Sequence, residues 1–160
     1  MEKKSIYAKR IEKVQMSSIR IVMEKVEKLR NQGKSIVSLC AGEPDFNTPA
    51  GIKKATMDAL NDNQTHYSSN RGYAGLRQKV AQLLQEQTTI NYDSEQEIIM
   101  TCGCSEAINN TCLAFIDPGD EVIIFTPAFV SYQNTVLLCE GIPVEIPLKS
   151  RNGFQIDIEE

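Results

Sequence analysis

The chain has 160 residues, 41% hydrophobic and 24% charged, which suits one domain or a large part of one and excludes wholesale disorder. Seventeen Lys+Arg against 21 Asp+Glu give a net charge of −4, and lysines alternate with acids, as in Glu24-Lys25-Val26-Glu27-Lys28, so there is no nucleic-acid footprint. No apolar run approaches the roughly 20 residues of a membrane helix, and the opening MEKKSIYAKR lacks the apolar stretch of a signal peptide; a cytoplasmic enzyme or binding domain is expected.

Ile11, Val14, Ile19, Val22, Val26 and Leu29 recur at helical spacing, with Ser17 and Ser18 breaking an N-terminal arm from a helix over 19–32 and Gly33 placed to end it. Ile36–Leu39 reads as a short strand, followed by the turn-rich Ala41-Gly42-Glu43-Pro44-Asp45-Phe46. Thr48 and Pro49 form an N-cap and N1 pair for a helix over about 50–61. A polar loop from Asn61 to Gly72 carries His66, Tyr67 and Arg71, and helix 73–88 places Leu76, Val80, Leu83 and Leu84 on one stripe.

From residue 96 strands and helices alternate. Glu97–Thr101 is a strand, Ser105 to Phe115 a helix capped by Ser105, Asp117–Asp120 a turn, and Glu121–Phe125 a strand. A helix near 128–139 and a strand Ile142–Ile146 follow. Such alternation predicts right-handed βαβ crossovers and an α/β fold: a three-layer, mainly parallel sheet covered by helices. The ending Ile156-Asp157-Ile158-Glu159-Glu160 reads as the start of a further helix, so the fold is expected to be incomplete.

Five cysteines are an odd number, and reduced thiols are expected. Cys102-Gly103-Cys104 has no second pair at finger-like spacing and His66 is the lone histidine, so no metal site is expected. In an open α/β sheet, ligands bind beyond the carboxyl ends of the strands. There, Thr101–Ala107 forms a strand, a Gly-containing turn and a helix start, whose amides and dipole can hold an anion without a lysine. It is neither a P-loop nor GxGxxG, and many such turns bind nothing. Phe129 and Tyr132, expected on the first turn of the next helix, are either a wall for a planar ligand or core residues.

Five segments fall into an order that resembles the N-terminal part of a fold-type I, pyridoxal-phosphate-dependent aminotransferase of class I/II, aspartate- and aromatic-aminotransferase-like. They are Ala41–Phe46 with Thr48-Pro49; Tyr67 with Gly72, Gly75, Leu76 and Arg77; Thr101-x-Gly103-x-x-x-Ala107; Asp117–Val122; and Pro127-x-Phe129-x-x-Tyr132. The resemblance implies that Gly103, Cys104 and Ser105 cradle the phosphate of pyridoxal 5'-phosphate and that Phe129 stacks on its ring. It implies that Tyr67 reaches the cofactor phosphate of a partner subunit, so that a homodimer shares its active sites. It implies that Gly42 approaches the substrate carboxylate of an amino acid or 2-oxo acid and that Ser18 and Ile19 line the side-chain pocket. Some aspartate-preferring relatives carry a basic residue where Ser105 stands, so an acidic substrate is not implied.

The same resemblance implies an arm over 1–12, a small-domain contribution over 13–47 and the start of a large cofactor domain over 48–160. The family's Schiff-base lysine, pyridine-nitrogen aspartate, O3′ ligands and carboxylate-binding arginine are all expected downstream of residue 160. This stretch alone is therefore expected to be inactive, with no catalytic residue of its own. Two readings stand beside it: a decarboxylase or lyase on the same scaffold, and a non-catalytic phosphate-binding or interaction module.

Overall fold

The computed structural model describes residues 6–14 and 16–158; the first five residues of the expected arm and the last two of the chain lie outside them. In chain order the elements are a short 3-10 helix Lys9–Lys13, α1 (Ser18–Asn31), α2 (Ala50–Asn61), α3 (Ala74–Thr88), α4 (Cys104–Phe115), β1 (Glu121–Thr126), α5 (Ser131–Leu138), β2 (Ile142–Pro147) and a 3-10 turn Ser150–Asn152. They divide into two compact units, one holding residues up to Ala41 and from Gly103 onward, the other Gly42–Cys102.

In the first unit β1 and β2 pair in parallel, Ile123 opposite Val144 and Phe125 opposite Ile146, joined through α5. This is the expected β–α–β grammar. α4 packs on α5, and α5 packs on both strands and on the 3-10 helix Lys9–Lys13. Ile124, Val136 and Cys139 are buried at this junction. Gly141 makes the junction possible: a Cβ there would lie 2.9 Å from Ile116 Cγ2 and 3.0 Å from Val136 Cγ1, closer than side chains approach. The Asp117–Asp120 turn closes the same corner, with the Gly119 N–H donating to the Glu140 carbonyl (3.0 Å) and the Ile142 N–H to that of Asp120 (2.8 Å).

Three helices stop in the same way. After α1, α2 and α5 the residues Gly33, Asn63 and Glu140 turn left-handed, with φ of 79°, 56° and 65°. Each donates to the carbonyl three residues back, and the next residue (Lys34, Gln64, Gly141) donates to the carbonyl five back. Gly33 thus ends α1 as its sequence position predicts, and the break before α1 falls at Ser17.

Several expectations are corrected. Ile36–Leu39 and Glu97–Thr101 are not strands. A strand needs a neighbour's ladder, and here Met100 donates to the Arg71 carbonyl (3.0 Å), a turn, while Val37 and Leu39 are 87% and 93% exposed. The sheet of the described residues is therefore two-stranded. Pro49, not Thr48, occupies the N-cap of α2 and makes no side-chain cap. α4 starts at Cys104 with Gly103 as N-cap, so Ser105 lies inside the first turn and caps nothing. α5 starts only at Ser131, which leaves Phe129 in the loop before the helix and Tyr132 within its first turn. The inward stripe of α3 is Arg77, Val80, Ala81 and Leu84, whereas Leu76 and Leu83 are about half exposed.

Candidate functional site

The turn into α4 is shaped by Gly103, whose φ of 84° and ψ of 171° belong to a region that only glycine visits readily. A Cβ built there would meet nothing within 4 Å, so the space above the turn is open and the constraint is conformational. The Ala107 N–H returns to the Gly103 carbonyl (3.3 Å), and the amides ahead of it open the helix at its positive end. Cys104 and Ser105 are exposed there. Glu106 in the same turn brings a negative charge that favours the helix and opposes an anionic ligand.

Phe129 follows β1. Its ring is 58% exposed and meets Tyr132 edge-on, centroids 5.8 Å apart at 68°. Among the described residues Phe129 is thus not packed as core; it keeps an exposed face and is braced at its edge by Tyr132. A cavity of about 100 Å³ lined by Thr126, Phe129, Gln133 and Glu145, among others, sits where β1 and β2 end, at the edge where α/β sheets take ligands. At the start of α1, Ser18 and Ile19 line a groove of about 270 Å³ with Val22, Leu39 and Cys40.

Tyr67 and Gly42 belong to the second unit. Tyr67 is fully exposed, 106% of the reference area, in the loop between α2 and α3. Gly42 is exposed, and a Cβ there would also meet nothing within 4 Å. The first unit thus carries Gly103, Cys104, Ser105, Phe129, Ser18 and Ile19, and the second carries Tyr67 and Gly42. Sequence reasoning gave no role to Arg77, which is 3% exposed and bound to three groups. Its signal was available: a guanidinium on the periodic stripe of a helix cannot be buried without partners.

A class I and II aminotransferase family model matches residues 34–160. The chain belongs to the class I and II aminotransferases. It is 42% identical over 127 residues to an aspartate aminotransferase of Pyrococcus abyssi, covering 79% of this chain and 33% of that protein. It is 38% identical over 143 residues to a probable N-acetyl-LL-diaminopimelate aminotransferase of Bacillus subtilis, covering 89% of this chain and 35% of that one. Its fold superposes on the aspartate aminotransferase of Thermus thermophilus solved with maleate at a TM-score of 0.90, with 35% identity over 98% of this chain and 41% of that one. The chain therefore spans about a third to two fifths of the relatives it matches. These aminotransferase likenesses carry the fold-type I architecture expected from the sequence, of which the two-stranded sheet and its helices are a part.

Proposed function

We propose that this chain is the N-terminal segment of an aminotransferase that uses pyridoxal 5'-phosphate to move an amino group between an amino acid and a 2-oxo acid. The observation that carries this is the open glycine turn at the head of α4, a cradle with room for a phosphate over helix amides. The residues fit the group: Gly103, Cys104 and Ser105 would hold the phosphate, and the exposed Phe129 ring offers a face to the pyridine. When bound, the cofactor supplies a carbonyl that condenses with the substrate amine and a ring that draws electrons from its α-carbon.

The chain's own residues bind and orient. The α4 dipole fixes the phosphate, and Phe129, braced by Tyr132, limits ring tilt. Backbone at Gly42 can approach a carboxylate without a side chain in the way, and the Ser18–Ile19 groove suits the substrate side chain. Tyr67 is wholly exposed, which supports a homodimer in which it serves the partner's phosphate. The arm 1–12, the small-domain piece 13–47 and the large-domain piece 48–160 complete the reading. The lysine that anchors the cofactor is assigned to the remainder of the fold, and the stretch alone is inactive.

Pyridoxamine phosphate and pyridoxamine, which lack an aldehyde and form no imines with surface lysines, provide the test. The phosphate form should bind the chain at least about tenfold more tightly, and Phe129→Ala should weaken both by roughly two- to tenfold. Equal affinity for the two compounds would remove the phosphate cradle from the account.

A further inference from the structure

Arg77, the buried cation of the second unit, sits where two backbone segments meet. Its Nε donates to the Ser94 carbonyl (2.8 Å), Nη2 to Glu95 Oε2 (2.8 Å), and Nη1 to the Gly72 carbonyl. The Arg71 guanidinium donates to the Glu95 carbonyl, and the Met100 N–H to that of Arg71 (3.0 Å). Gly72 is pressed so closely on Met100 that a Cβ would lie 2.7 Å from Met100 Cβ. Within the turn, the Gly72 N–H reaches the Ser69 carbonyl (2.8 Å) and the Arg71 N–H reaches Ser69 Oγ (3.2 Å).

The other end of this loop is fixed as firmly. Gln64 donates to the Ala59 carbonyl (3.0 Å) at the end of α2, and Thr65 to that of Asn63 (2.8 Å). Tyr67 stands at the apex between the two anchors, with its side chain wholly exposed. It is aimed by its backbone alone, and the direction of that backbone is set at Gly72 and Asn63. Only the Gly72 anchor depends on a buried charge.

We infer that Arg77 is a positioning residue for Tyr67: by clamping the Gly72 turn to the Ser94–Glu95 segment, it presents the tyrosine hydroxyl to the phosphate of a cofactor held by a second copy of the chain. The inference rests on the role proposed above for Tyr67. Its gain is preorganisation, since an apex loop without the clamp has to be ordered on each binding event.

The test is a double-mutant cycle on the holoenzyme, read by the dissociation constant of pyridoxal phosphate and, with cofactor removed, by amide exchange across 65–71. Tyr67→Phe should weaken cofactor binding about tenfold, as loss of a hydrogen bond to a charged group does. Arg77→Lys should weaken it comparably and speed exchange across the loop, yet add little once Tyr67 is already Phe. Glu95→Gln, at a carboxylate 61% exposed and so safe for folding, should give a smaller loss with the same non-additivity. Losses that multiply for both Arg77→Lys and Glu95→Gln in the Tyr67→Phe background would overturn the inference while leaving the role of Tyr67 intact. A Tyr67→Phe enzyme with unchanged affinity would instead overturn that role, whatever the exchange data show for Arg77.

Discussion

Glu140 stands at a helix end where glycine is usual. Its φ of 65° crowds Cβ against the backbone, a conformation that costs an L-residue about 1–2 kcal/mol. The Gly119 amide and the end of α5 hold it there. Glu140→Gly should therefore stabilise the first unit by about 0.5–1 kcal/mol in urea unfolding, the relief exceeding the added chain entropy; a loss of stability would mean the carboxylate has an overriding partner. Cys112 shows a different local effect. Burial first, and then the neighbouring Cys139, push its thiol above the ordinary value of 9.0. Below that value both folded and unfolded chains keep the proton, so the thiol adds no pH dependence. Above it the unfolded chain loses the proton first, so stability should fall as pH rises toward the folded-state value, more steeply than in Cys112→Val. Identical slopes between pH 8 and 10 would contradict this.

At the scale of elements, charge at the head of α4 bears on the proposed phosphate site. Glu106 improves the helix but repels a phosphate, so Glu106→Gln should tighten pyridoxamine phosphate binding by about two- to fivefold at low salt, with the gain fading as salt rises. A weaker complex would mean that Glu106 supports the cradle. The elements themselves were legible where the signal is local. Residues 50–61 and the β–α–β run were readable from periodicity and β-branched residues, and the α1 terminus from Gly33. Ile36–Leu39 and Glu97–Thr101 were misread because a strand is a relation between segments, and the apolar pattern does not say whether a neighbour is present. The N-cap slipped by one residue at α2 and by two at α4 because Pro49 and Gly103 take the N-cap with backbone geometry alone. The inward face of α3 turned on Arg77, which a hydrophobic stripe cannot announce.

For the whole molecule, the small core is the governing fact. Beside Ile124, Val136 and Cys139, a groove of about 420 Å³ runs along β1, lined by Ile108, Val122, Ile123, Phe125 and Tyr132, and Ile123 is 58% exposed. An apolar strand face left this open favours association. The isolated 160-residue chain should sediment with a mass that rises with concentration; a monomer at every concentration would show that these faces are self-sufficient. The candidate site residues rest on family resemblance more than on chemistry, because a phosphate cradle built from amides would leave only a glycine in the sequence. The central claim is that the amides opening α4 receive a phosphate. Amide NMR of the chain titrated with pyridoxamine phosphate measures this most directly. The largest shifts are expected at Cys104 and Ser105, reproduced in part by inorganic phosphate; shifts confined to other residues, with those two unmoved, would contradict a phosphate site there.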